Sequence, residues 1–203
     1  MFNNTKDFPD IFGPVFSSYL SNLPRIRGKL DSETRAPTVF REVWGKLGLV
    51  PSADRVILIT GSKGKGTVAR LIAWNLQRRG YRVGLVVTPE ELSHLDRIRL
   101  DNEPIPISEF EAHLSTILPH LMEALAADEP DRYLSPTGVF LTVALSWFKP
   151  RLVDWYVIEG GRGVQADEIG QLKARLGVVT TVFPEHVVAV SYTHLTLPTN
   201  REV

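Results

Sequence analysis

The chain has 203 residues, 43% of them hydrophobic and 23% charged, which is the composition of an ordinary soluble globular protein with one substantial core. Lys plus Arg and Asp plus Glu are equal at 23 each, so no general basic field points to nucleic acid or to a membrane surface. There is no cysteine, which excludes a disulfide framework, a thiolate metal site and a thiol nucleophile. The longest apolar stretch, Gly138 to Phe148, is too short to cross a bilayer, and the N-terminus has neither the basic start nor the apolar run of a signal peptide. A cytoplasmic enzyme is the expectation.

Scattered prolines and charges mark the first fifty residues, with an apolar-periodic helical segment near Val39–Leu47. Val56 to Ile59 is a short β-branched run ending at Thr60-Gly61, the pattern of a buried strand. Val68, Leu71, Ile72 and Leu76 then fall at helical spacing between Lys65 and Arg79, and Gly80 closes that helix. Arg82–Val87 reads as a second buried strand. Ser108 with Glu111 reads as a capping box opening a helix to about Ala126. A polar loop over Asp128–Pro136 follows, and Ser135-Pro136 starts another helix. Asp154–Glu159 and Leu176–Val182 read as the third and fourth strands.

Strands alternating with helices predict an α/β fold, a P-loop-type parallel sheet with helices on both faces. In such sheets ligands gather at the carboxyl ends of the strands. Gly61, Pro89, Glu159 and His186 all follow strand ends and are expected to converge there.

The segment Gly61-Ser62-Lys63-Gly64-Lys65-Gly66-Thr67 lies between a strand and a helix. Glycines there let backbone N–H groups face phosphate oxygens, and the helix N-terminus adds partial positive charge. Lys65 can neutralise the outer phosphates, and Thr67 offers a hydroxyl to phosphate or Mg²⁺. The common Walker spacing is not met: Gly61 stands too close to Gly64, and Gly66 separates Lys65 from Thr67. The alternative to a phosphate loop is a flexible glycine turn with exposed lysines. Glu159 ends an apolar strand beside this loop, a place for a Mg²⁺ ligand or a water-orienting carboxylate, or else a solvated acid. A single histidine after a strand, such as His186, is by itself as often a loop residue as a ligand.

The loop resembles the Gly-[Thr/Ser]-x-Gly-Lys-Gly-[Ser/Thr] motif of folylpolyglutamate synthases, members of the Mur ligase superfamily. Thr88-Pro89 followed by Asp96-Arg97-Ile98-Arg99 is similar to that family's Thr-Ser-Pro-His and Glu-Arg-Ile-Arg segments. Asn102–Ser108 resembles the stretch leading into its next helix, and Leu23–Arg27 its Arg-Ile-Arg helix start. Glu159 to Asp167 is similar to Glu-x-Gly-[Leu/Arg]-Gly-Gly-Arg-x-Asp, with Glu159, Gly161, Gly163 and Asp167 in register. Thr180–His186 resembles the family's next strand end. The similarity runs from about Leu23 to His186.

The resemblance implies a Mur-ligase central domain at residues 1–189, with a helical lead-in over about 1–53. It implies ATP and Mg²⁺ as cofactors, small-molecule substrates (a folate or related acid, and glutamate), and ligation through an acyl phosphate. In that pattern Lys65, Glu159 and His186 are catalytic, residues 61–67 bind ATP, and Thr88, Glu159 and His186 surround metal. Several positions depart from it. Glu90 replaces a histidine, Val164 and Gln165 replace a glycine and an arginine, and Gly138-Val139 replace a Phe-Glu pair near the pteroate side, while Thr142 is kept. These departures leave open a superfamily ligase with another acid substrate, or a nucleotide-binding regulatory module without catalysis. No lysine follows Lys173, so the carbamylated lysine expected past His186 is absent. Residues 190–203 do not resemble the family and are similar to translated sequencing-adapter read-through, the expectation being a non-native tail that includes His194. The chain on its own is expected to lack ligase turnover.

Overall fold

The structure is a computed structural model, and it describes residues 11–128, 132–161, 164 and 167–182. Helices α1 (Gly13–Ile26), α2 (Asp31–Thr34) and α3 (Pro37–Leu47) lead into β1 (Val56–Thr60) and α4 (Lys65–Arg78). Strands β2 (Val83–Val86), β3 (Ile98–Leu100) and β4 (Glu103–Pro104) follow, then α5 (Ile107–Ala126), α6 (Pro136–Phe148), β5 (Trp155–Glu159) and β6 (Leu176–Val179).

The six strands form one sheet in the order β4-β3-β2-β5-β1-β6. The four strands read from the sequence are its parallel part: β5 lies between β1 and β2, and β6 pairs with β1. The sheet as a whole is mixed rather than parallel, because β3 and β4 add an antiparallel edge to β2. That edge turns at Asp101 and Asn102, both at positive φ (49° and 74°), and the Asp101 carboxylate accepts the Val83 N–H at 2.8 Å.

Both faces are covered, as expected for the class. Ile57, Ile59, Val83, Leu85 and Val157 turn to one side, where Ala69 and Ala73 of α4 meet them. Val56, Leu58, Val86 and Ile158 turn to the other, onto α3, α5 and α6. The alternation along each strand is the two-residue period of the pleat. Helix α6 is apolar all round because its neighbours surround it; Phe148 at its end lies on Gly84, where a Cβ would come within 2.8 Å of the ring.

Three local readings are corrected. Helix α5 begins at Ile107, not after Ser108: Pro106 holds an extended φ of −62°, its carbonyl accepts the Phe110 N–H at 2.9 Å, and no side chain caps the end. Arg25-Ile26 ends α1 instead of starting a helix, because Gly28 (φ +84°) turns the chain before α2 begins. Strand β6 stops at Val179, short of Val182, where the chain turns to meet the glycine loop. The Ser135 start of α6 is as read: its hydroxyl accepts the Gly138 N–H at 3.0 Å, with Pro136 in the first turn.

Candidate nucleotide-binding site

Strand β1 delivers the chain to Gly61 at the carboxyl edge of the sheet. Gly61 has φ +130°, and a Cβ there would lie 2.2 Å from Thr180 Oγ1, so only glycine fits this turn. The loop then leans on the chain after β6: Ser62 N–H donates to Thr181 O at 2.7 Å, and Lys63 bridges Thr181. Ser62 therefore uses its amide within the fold, which removes one donor from those the sequence offered to phosphate. Gly64 (φ 79°, left-handed) caps α4, and the N–H groups of Lys65, Gly66 and Thr67 form its first turn, where no carbonyl one turn back exists to receive them. Lys65 Nζ lies 3.2 Å from Ser62 O, folded over the loop it would serve. Thr67 is exposed.

Glu159 ends β5 opposite Ile59 and is only 4% exposed. Its Oε2 accepts the Thr88 N–H at 3.0 Å. Gly66 of α4 approaches the same oxygen, and a Cβ on it would lie 3.3 Å from Oε2. Burial raises the Glu159 carboxyl above the ordinary carboxylate range, and the Thr88 hydrogen bond and the charges of Lys65 and Arg70 offset part of that. Lys65, Gly66, Thr88 and Glu159 thus come together at one edge. Arg70, which the sequence reading did not single out, is tied across to Glu91 at 3.1 Å; its place one and a half turns beyond Lys65 was the only signal.

A partly desolvated carboxylate that accepts the Thr88 N–H, at the strand edge beside the start of α4, suits a hard divalent cation. Among the described residues no group of three or more Asp, Glu or His stands ready to hold a metal by itself. A cation here would depend on nucleotide phosphates for its remaining ligands, as Mg²⁺ commonly does. His186, assigned to the metal from the resemblance, lies outside the described residues, as do Gly163 and Gln165.

The other departures have physical partners. Glu90 accepts from Arg97 Nε at 2.7 Å and lies 2.8 Å from His94 Nδ1 without hydrogen-bond geometry. Burial of its carboxyl is outweighed, chiefly by its hydrogen bonds and Arg97, so that its pKa falls. Thr142 is structural: it accepts from Trp44 Nε1 at 2.9 Å and donates to Gly138 O at 2.8 Å, all buried. Gly138 faces Phe40 Cζ and Glu168 Cγ, which a Cβ would meet at 2.5 and 2.7 Å. Sequence reasoning also missed Arg35. It is buried against Asp31, Asp167 and Glu168; Asp31 is only four residues away, but the two fully buried partners, Asp167 and Glu168, are distant in sequence, so the local pattern does not announce the cluster.

A glycine loop between β1 and α4, with an acid closing the adjacent parallel strand, is the arrangement expected of an α/β domain of the Mur ligase type. No family model matches the chain. Curated relatives do: folylpolyglutamate synthase of Lacticaseibacillus casei is 28% identical over 176 residues, covering 87% of this chain and 40% of that protein. Dihydrofolate synthase/folylpolyglutamate synthase of Haemophilus influenzae is 30% identical over 148 residues, 72% of this chain and 32% of the relative. Among solved structures, E. coli FolC in complex with DHPP and ADP superposes with a TM-score of 0.65 at 26% identity, covering 89% of this chain and 41% of that one. The chain is a relative of the folylpolyglutamate and dihydrofolate synthases, as its motifs indicated, and spans at most about two-fifths of the length of these relatives. No described helix is long and apolar enough to cross a membrane.

Proposed function

We propose that the chain is the nucleotide-binding part of an ATP-dependent ligase that joins glutamate to a folate-type carboxylate. One observation carries this reading: the buried Glu159 carboxylate accepts the Thr88 N–H beside the glycine loop, and Gly66 at the helix start places no side chain against its oxygen. In the reaction, a substrate carboxylate oxygen attacks the γ-phosphorus of ATP and ADP departs. The amine then attacks the acyl phosphate carbon and releases inorganic phosphate. The first-turn amides of α4 and Lys65 would cradle the phosphates and spread their charge. Glu159 and the hydroxyls of Thr67 and Thr88 would hold Mg²⁺, which supplies charge neutralisation at the transferring phosphoryl group. His186 completes the metal set in this proposal. The ADP bound to E. coli FolC supports a nucleotide at this loop.

A second reading, a ligase for a different acid, is favoured by the packing around Gly138. The space that a side chain would take there holds Phe40 and Glu168, so the contacts implied for a Phe-Glu pair at Gly138-Val139 are missing.

Calorimetric titration of the purified chain with ADP and with ATP, at fixed Mg²⁺, tests the nucleotide half. Binding that Lys65→Ala abolishes, with an unchanged melting temperature, is the expected result. Binding unaffected by Lys65→Ala would contradict it. Titration with a pteroate-type acid and with other carboxylates separates the two substrate readings.

A further inference from the structure

Arg35 is 5% exposed and sits among three carboxylates. Its Nη1 lies 3.7 Å from Asp31 and 3.6 Å from Asp167, and its Nη2 pairs with Glu168 and donates to Ser135 Oγ at 3.1 Å. Asp167 and Glu168 are fully buried. Taking charges out of water costs several kcal/mol per ion, and well-packed apolar side chains commonly do as well for stability. Stability alone is therefore a poor reason for this cluster.

The geometry supplies another. The Asp167 Oδ2 that faces Arg35 also accepts the Gly161 N–H at 2.9 Å. Gly161 is two residues past Glu159, and a Cβ on it would stand 3.0 Å from that Oδ2 and 3.9 Å from Thr88 Cγ2. Thr88 in turn donates its N–H to Glu159. Contacts thus run from Arg35 through Asp167 to the turn that closes β5, and that turn lies near Thr88, which donates to the candidate metal carboxylate. Its anchor is firm: Arg35 forms a β-bridge with Tyr133, with Tyr133 N–H to Thr34 O at 2.9 Å and Ala36 N–H to Tyr133 O at 3.2 Å. Ser135, the other partner of Arg35, caps α6.

We infer that Arg35 is a positioning residue: through Asp167 it fixes the turn after Glu159, and with it the aim of the Glu159 carboxylate at a metal-bound nucleotide. The inference rests on the nucleotide reading above, and two measurements keep the two apart. The first needs no ligand. Amide exchange at Gly161, followed by NMR, is slow in the wild-type chain and becomes fast in Arg35→Met, while the amides of β1 keep their protection. Unchanged exchange at Gly161 overturns the inference whatever the chain binds.

The second is the affinity for Mg²⁺ at saturating ADP. Loss of a group that directly holds a metal ligand costs about 10- to 100-fold in metal affinity. Arg35 acts on Glu159 only through Asp167, Gly161 and Thr88, so Arg35→Met is expected to fall at or below the low end, about three- to tenfold. Affinity for ADP without Mg²⁺ is expected to stay as it was. Arg35→Met/Glu168→Met, which removes both charges of the closest pair, covers the case in which the single variant fails to fold. It is expected to recover the melting temperature and not the Mg²⁺ affinity or the Gly161 protection. Recovery of all three would mean that Arg35 only neutralises Glu168, and would overturn the inference. A wild-type chain with slow Gly161 exchange but no Mg²⁺-dependent binding would remove the nucleotide reading and, with it, the metal half of this one.

Discussion

Gly66→Ala separates the site's requirements from those of the fold. Gly66 is the second residue of α4, and alanine is favoured over glycine in a helix by up to about 1 kcal/mol. Against that, the new Cβ would lie 3.3 Å from Glu159 Oε2, closer than ordinary contact, so the carboxylate must give way by a few tenths of an ångström. The Glu159 side chain can rotate to relieve this, so the crowding takes back only part of the helix gain. The expected net is a stability equal to wild type or higher by about 0.5 kcal/mol, a rise of about 1–2 °C in melting temperature for a domain this size. Function responds differently: swinging the Glu159 carboxylate aside uses up most of the tolerance, about 0.5 Å and about 10–20°, within which a metal ligand must be held. Mg²⁺ affinity at saturating ADP is expected to fall about tenfold. Thermal melting and a Mg²⁺ titration on the same sample are the assay. A variant that is more stable and binds Mg²⁺ like wild type would refute the placement of Glu159 in the site.

Two further outcomes follow from buried contacts. Thr142→Val leaves Trp44 Nε1 without its acceptor inside the core and is expected to cost about 1–3 kcal/mol in urea unfolding, with nucleotide affinity unchanged; a lowered ADP affinity at full folding would instead give Thr142 a role at the site. Burial, helped by the charge of Arg151 and opposed by that of Glu109, pulls the His113 pKa below its usual value, where its Nδ1 meets Ser146 Oγ at 2.8 Å. The unfolded chain then takes the proton first as pH falls, so this site's contribution is lost on acidification from about pH 6.5 downward. His113→Gln is expected to flatten that part of the stability–pH curve, and an unaltered curve would contradict the assignment.

The parallel strands were legible because β-branched runs bounded by glycine or charge declare buried strands, as at Val56–Thr60 and Trp155–Glu159. The edge pair β3–β4 was not, since a three-residue and a two-residue strand have too little periodicity to register and depend on Asp101 and Asn102 adopting positive φ. The start of α5 was misplaced because Ser108 and Glu111 have capping-box spacing, yet Pro106 supplies the turn through its backbone. The placement of Lys65 at the start of α4 and of Glu159 at the end of β5 was readable from the strand and helix patterns. The loss of the Ser62 amide to Thr181 was not, because it requires β6 to lie beside β1. Arg35 was invisible for the same reason: its three carboxylates meet only after the helical lead-in folds back on the chain beyond β5.

Glu159→Gln is the most direct test of the site. It preserves shape and keeps an acceptor for the Thr88 N–H, and it removes a charge that burial already disfavours, so the melting temperature should hold or rise slightly. ADP affinity of the wild-type chain is expected to increase as Mg²⁺ is titrated in, and that of Glu159→Gln to stay nearly flat across the same range. A mutant whose ADP affinity climbs with Mg²⁺ as steeply as wild type would take Glu159 out of the metal site and the ligase reading with it.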